Sequence, residues 1–165
     1  MAKKAQKANV KNSWIGSSLA MPSNNQNYCL RAHIQFLGTL GELRRMLQWI
    51  REQLVVAKFD ASSLHKIEIA SEEALVNIIQ HGYQDVPGPI KISVEREERS
   101  VVITIRDQGP RFNPLERDIS FDRSAGIDER EVGGLGILFM REYMDEVRYT
   151  REGNANVLTL VKKLS

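Results

Sequence analysis

The chain has 165 residues, 42% of them hydrophobic, enough for one ordinary core and too short for two comfortable domains. Its 23 basic and 21 acidic side chains are interspersed and leave a formal charge of +2, so no field of one sign marks it for nucleic acid. Cys29 is the single cysteine, which excludes an internal disulfide and a cysteine-based zinc site and fits a reducing, cytoplasmic setting. No apolar stretch reaches the roughly 20 residues of a membrane span, and the basic first residues are not followed by the apolar run of a secretory signal.

Residues 1–27 are rich in Lys, Asn, Ser and Gln and lack a sustained period. They read as a mobile extension of a domain spanning 28–165, with Trp14, Ile15 and Leu19 as apolar points where it could dock. From Leu30, the alternation of Ala32, Ile34 and Phe36 predicts a half-buried strand. A helix follows: Thr39 and Glu42 have the spacing of a capping box, and Leu40, Leu43, Leu47, Ile50 and Leu54 recur at helical spacing until about 59–60. A second helix is predicted from Ser62 or Ser63 to Gly82. Its apolar residues, among them Ile67, Ala70, Ala74, Leu75 and Ile78, spread over most of the circumference and imply burial on more than one side. The turn cluster Pro87-Gly88-Pro89 precedes two alternating runs, Ile90, Ile92, Val94 and Val101, Ile103, Ile105, which the charged link 95–100 joins into a hairpin. Residues 112–132 carry many charges and little period, and read as a long loop of the kind that is functional or mobile. A helix over 135–143, a strand over 147–150, a turn at 152–154 and a strand over 157–161 complete the chain. Helices and antiparallel strands fall in separate blocks, which predicts an α+β two-layer sandwich.

Three short motifs carry chemistry. Glu73 and Asn77 stand four positions apart, on one stripe of a helix whose surroundings are mostly apolar. Buried polar groups need partners, and a hard cation such as Mg2+ takes oxygen ligands of the Asn carbonyl type; the alternative is a pair of side chains at the solvent edge of an amphipathic helix. Arg106-Asp107-Gln108-Gly109 ends a predicted strand. A carboxylate fixed there can accept a hydrogen bond from an exocyclic amine such as that of adenine, and the glycine lets a base approach the backbone, although Asp-x-Gly is also an ordinary turn. Gly133-Gly134-Leu135-Gly136 precedes an apolar helix, where glycine N–H groups and the helix dipole suit phosphate, or a hinge. The Lys of a Walker loop is absent from it.

Each motif alone is weak, but their order resembles the N, G1 and G2 boxes of the GHKL (histidine-kinase-like) ATPase superfamily. Within it, Glu73-Ala-Leu-Val-Asn77-Ile-Ile-Gln-His81-Gly82-Tyr83 and Gly133-Gly-Leu-Gly-Ile-Leu-Phe-Met-Arg-Glu-Tyr-Met144-Asp145-Glu146-Val147 are most similar to the anti-sigma-factor serine kinases of stress response and sporulation. The likeness covers about 28–164. It implies the Bergerat fold, a mixed, mostly antiparallel sheet with helices on one face, and an ATP and Mg2+ site. In that site Asn77 would ligate the metal, Asp107 would read adenine, and Gly109 would line the base pocket. Gly133, Gly134 and Gly136 would meet the phosphates, with Arg130 or Arg123 reaching them from a lid over 112–132 hinged at Gly126 and Gly133-Gly134. Glu73 would be the catalytic base. The implied activity is phosphorylation of a serine on a STAS-domain anti-sigma-factor antagonist, which competes with a sigma factor for the kinase. A homodimer is implied as well, with the first strand and helix as its guessed surface, and no direct contact with nucleic acid or membrane.

Two departures stand out. Pro110-Arg111-Phe112 follows Gly109 where a second glycine is usual, and Gly153-Asn154-Ala155-Asn156 replaces a Gly-Thr, which puts a threonine contact near the adenine in doubt. A partner-switching regulator that binds ATP without catalysis is the alternative function, and intact Glu73 argues against it. A sensor histidine kinase fragment would need a helical dimerisation domain for which the chain has no room. His81 reads as a brace for the helix end, and Trp49 as core or dimer packing. His33 and His65 lack companions at metal-ligand spacing.

Overall fold

The computed structural model describes residues 31–56, 59–83, 86–116 and 135–164. The extension expected at 1–27, Cys29, and most of the loop expected at 112–132 lie outside them. The described elements are β1 (Arg31–Leu37), α1 (Leu40–Val56), α2 (Ala61–Asn77), a π turn (Ile78–Gly82), β2 (Pro89–Arg96), β3 (Ser100–Asp107), a 3-10 turn (Pro114–Glu116), α3 (Leu135–Tyr143), β4 (Glu146–Glu152) and β5 (Ala155–Lys163).

The five strands form one sheet in the order β1-β2-β3-β5-β4, and every pairing within it is antiparallel. Period-2 patterning sets the register: Ile92 and Val94 stand opposite Ile105 and Ile103, which in turn face Leu158 and Leu160. Those six side chains are buried and form the sheet half of the core. Removing each such side chain from water stabilises the fold by about 1.5–3 kcal/mol. The helices supply the other half, with Met46, Ile50 and Leu54 from α1, Ile67, Ala70, Ala74 and Leu75 from α2, and Ile137 and Met140 from α3. The result is the α+β two-layer sandwich the periodicity predicts. Among the described residues no helix is long and apolar enough to cross a membrane.

Local chemistry shifts one helix start and one helix end from the sequence expectation, and replaces the expected cap of another helix. Asp60, not Ser62 or Ser63, caps α2: its Oδ1 accepts from the Ser63 N–H at 2.9 Å and its Oδ2 from the Ser63 hydroxyl at 2.6 Å. Those two bonds hold the Asp60 carboxyl below its ordinary value. At α1 the capping box is not formed, since the Glu42 carboxylate takes Arg45 at 2.8 Å and the Thr39 N–H donates to the Leu37 carbonyl. At its far end α2 keeps α-helical bonding only to Asn77 and continues as a π turn, closed by the Tyr83 N–H on the Ile78 carbonyl at 3.0 Å.

Tyr83 then ties the sheet together. Its hydroxyl donates to the Pro89 carbonyl at 2.6 Å and accepts from the Gln108 N–H at 2.9 Å, with Gly38 and Gly88 packed under the ring. A methyl group at Gly88 would overlap Tyr83 Cε1 and stand 2.6 Å from Cζ. Gly88→Ala should therefore lower stability by about 1–3 kcal/mol, the usual cost of overpacking. Gly41→Ala, on an exposed position of α1 where a methyl group meets only Thr39 Oγ1 at 3.9 Å, should raise it by up to about 1 kcal/mol. Paired urea denaturation curves check both signs.

Candidate functional site

The end of α2, the end of β3, the start of β5 and the first turn of α3 carry the site. Glu73 and Asn77 sit on the last turns of α2, and Gly82 ends the π turn beyond them. Asp107 is the last residue of β3, and Asn156 faces it from β5 in the strand register. Gly136 lies in the first turn of α3.

Two of the sequence-predicted residues meet through a glycine. A methyl group on Gly136 would overlap Glu73 Oε2 and stand 3.0 Å from its Cδ. A side chain there would displace the Glu73 carboxylate from its place against the start of α3. That carboxylate is half-buried, and burial, reinforced by neighbouring Glu72, pushes its pKa above the ordinary value. A carboxylate so placed holds a proton more readily than one in water, which suits it to accept one from a hydroxyl.

Asn77 is 8% exposed and its Nδ2 has no hydrogen-bond partner among the described residues. An unpaired buried amide is costly unless a ligand completes it. The unpaired atom is a donor, so it fits an acceptor such as a nucleotide oxygen, while a metal would take the other end of the amide, the carbonyl oxygen.

The end of β3 is the tightest part. A methyl group on Gly109 would lie 2.8 Å from the Gly82 carbonyl oxygen and 3.0 Å from Asp107 Oδ1, so the ends of α2 and β3 touch backbone to backbone. Asp107 is 2% exposed. Its Oδ1 accepts from the Gly109 N–H at 2.8 Å and from Asn156 Nδ2 at 2.9 Å. Burial raises its pKa, and the Asn156 and Gly109 bonds together with the charge of Arg151 oppose the rise without cancelling it. A buried carboxylate with one oxygen so occupied can present the other to a donor such as an exocyclic amine.

Gly133, Gly134, Arg130 and Arg123 lie outside the described residues, as does Gly126. Of the remaining candidates, His81 is half-buried with its ring 5.8 Å from that of Phe112, in keeping with a brace, and Trp49 packs on the core. His33 on β1 and His65 on α2 are exposed. Tyr83, at the end of the first motif, and Asn156, in the stretch after Gly153, carry no assigned role in the sequence; in the structure Tyr83 holds the Gln108 N–H and Asn156 forms a cluster with Tyr149 and Arg151 beside Asp107. The signal for Asn156 was available: extending the last predicted strand by one residue places it level with Asp107.

Because the native Asp107 binds its proton more tightly than an unfolded one, the ionised carboxylate costs stability above its folded pKa, and the cost is relieved as pH falls through that value. Asp107→Asn keeps the acceptor for Asn156 and Gly109 but carries no charge. The variant should be at least as stable as the parent at neutral pH, with the difference narrowing on acidification. Thermal melts at a series of pH values read this directly, and a variant that loses stability at neutral pH would contradict it.

The family profile for the histidine kinase-like ATPase domain matches residues 36–162. A serine/threonine-protein kinase, BtrW of Bordetella bronchiseptica, is 27% identical over 115 residues, covering 69% of this chain and 80% of that protein. The anti-sigma F factor of Anoxybacillus flavithermus is 34% identical over 116 residues, covering 67% and 77%. Among solved structures, the RsbU and RsbW domains of Rv1364c from Mycobacterium tuberculosis share the fold, with a TM-score of 0.60 at 21% identity over 82% of this chain and 32% of that longer one. The chain belongs to the histidine kinase-like ATPase family, among the relatives of the anti-sigma F factors and the anti-sigma-factor serine kinases.

Proposed function

We propose that this protein is an ATP- and Mg2+-dependent serine kinase that phosphorylates a STAS-domain antagonist and, by doing so, exchanges that antagonist for a sigma factor. The observation that carries this reading is the contact of Glu73 with Gly136, which sets a proton-accepting carboxylate against the start of α3 in a chain of this family. The coarser part of the reading, kinase activity and partner switching, rests on the relatives named above. The client and the chemistry of individual residues are proposed here.

Bound ATP with Mg2+ would supply the phosphoryl group and the charge that neutralises it. The chain's own residues then divide the work. Asp107 accepts from the adenine amine with the oxygen that Asn156 and Gly109 leave open, and Gly109 admits the base close to the backbone. Asn77 offers its carbonyl oxygen to the metal. Gly133, Gly134 and Arg130, with Gly136, are assigned to the phosphates. Glu73 would take the proton from the attacking serine hydroxyl and orient that oxygen as the γ-phosphoryl group passes to it and ADP leaves; the rest of what phosphoryl transfer asks of a protein is positioning and charge neutralisation. A homodimer formed near β1 and α1, and a site of action in the cytoplasm, complete the proposal.

Three substitutions separate these roles. Asn77→Ala should lose Mg2+-dependent nucleotide binding in calorimetry. Asp107→Asn should lose adenine nucleotides while keeping its fold. Glu73→Ala should bind ATP as the parent does and transfer phosphate about 10²- to 10⁴-fold more slowly. The rate of the parent should fall as pH drops through the raised Glu73 pKa, because the base is then already protonated. The assay is transfer from labelled ATP to STAS-domain proteins with mapping of the phosphoserine. Transfer by Glu73→Ala at the parental rate removes Glu73 from the role of base, and binding of ATP with no transfer to any serine favours the non-catalytic regulator instead.

A further inference from the structure

Among the described residues the Asn156 side chain makes five hydrogen bonds, three to the end of β3 and the turn after it and two to β4. It is 4% exposed. Its Nδ2 donates to Asp107 Oδ1 and to the Pro110 carbonyl, both at 2.9 Å. Its Oδ1 accepts from Arg151 at 2.7 Å, from the Tyr149 hydroxyl at 2.8 Å and from the Phe112 N–H at 3.4 Å. The amide has one workable orientation. Arg151 and the Phe112 N–H can only donate, while the Pro110 carbonyl and an ionised Asp107 can only accept, so turning the amide over would oppose donors to donors and acceptors to acceptors. Arg151 also donates to the Gly109 carbonyl at 3.0 Å, which ties the same cluster to the turn after β3.

The consequence falls on Asp107. Both hydrogen bonds it accepts among the described residues land on Oδ1, from Asn156 and from Gly109. A carboxylate held by two donors on one oxygen no longer rotates to offer either oxygen to a base. We infer that Asn156 is a positioning residue for base recognition: it fixes Asp107 so that Oδ2 alone is presented, and thereby makes the site select a purine bearing an exocyclic amine over one bearing an oxo group. The inference rests on the reading of Asp107 as the adenine contact. Asn156 lies in the stretch that stands in place of a Gly-Thr, and supplies a direct amide-to-carboxylate bond of its own. Pre-organisation of this kind strengthens the one contact it serves and leaves the remainder of the ligand's binding untouched.

The test compares ATP with ITP, which carries an oxo group in place of the amine. Dissociation constants come from calorimetry on the full chain with Mg2+, for the parent, Asp107→Asn, Asn156→Ala, Asn156→Asp and Arg151→Gln. Asn156→Asp keeps an acceptor for Arg151, Tyr149 and the Phe112 N–H but faces Asp107 with a carboxylate in place of a donor. In the parent, ATP should be preferred by about 10- to 100-fold, the worth of a hydrogen bond to a charged group. Asn156→Ala should weaken ATP by about tenfold and leave ITP within about twofold, Asn156→Asp should erase the preference, and Arg151→Gln should reduce it in part. A purely structural role would weaken both nucleotides together, and that result overturns the inference. Melting temperatures without nucleotide show which variants are folded, and if neither Asn156 variant folds, an undiminished preference in Arg151→Gln overturns it. If Asp107→Asn abolishes the preference while folded Asn156 variants retain it, the adenine reading stands and the inference alone falls. If the parent binds neither nucleotide, the adenine reading fails and takes the inference with it.

Discussion

Helix α2 has to satisfy two demands that conflict along its length. Its middle turns are an ordinary core helix, with Ile67 and Ala70 buried among α1, α3 and the sheet. Its last turns lie in the same apolar layer yet carry Glu73 and Asn77. Small side chains let neighbours crowd close, and the carboxylate of Glu73 comes up against α3 where Gly136 has no side chain to displace it. The helix changes from α to π immediately after Asn77, and such widened turns occur often beside functional sites. The remaining geometry follows from this placement: the π turn brings Gly82 onto Gly109, and Gly109 in turn sets the distance at which Asp107 ends its strand.

The two buried carboxylates are handled differently. Glu73 is influenced, among the described residues, by burial and by a like charge on Glu72, both of which favour the protonated form. Asp107 is more deeply buried but is met by two donors and a nearby guanidinium, which favour the ionised form. Both carboxyls are thus raised by burial, but at Asp107 bound donors and a nearby cation work against the rise and at Glu73 a like charge adds to it.

Much of the architecture was legible because it depends on local period. The alternation of Val101, Ile103 and Ile105 and the helical spacing of Leu43, Leu47, Ile50 and Leu54 are properties of single segments, and the elements they predict are present. Asp60 was readable as a cap once Ser63 is recognised three residues later. The π turn was not, since an apolar pattern at 78–82 is the same whether each N–H reaches back four residues or five. The site divides the same way. Glu73, Asn77, Asp107, Gly109 and Gly136 announce themselves as motifs, whereas Asn156, Tyr149 and Arg151 acquire meaning only through the pairing of β3, β5 and β4, which joins positions far apart in sequence.

The two outermost strands show how the sheet ends. β1 and β4 each have one neighbour, and each alternates exposed with half-buried positions along its length. Arg31 on β1 is paired to Glu95 on β2, and Glu146, Arg148 and Glu152 line the opposite border. Ionic side chains spaced along a border, as on β4, make it a poor template for a stray strand, because each would be brought against another chain's backbone without water. The β4 border can in this way resist fibrous growth of the sheet, a protection that β1, with a single charged Arg31 at its start and an exposed Leu37 at its end, does not share.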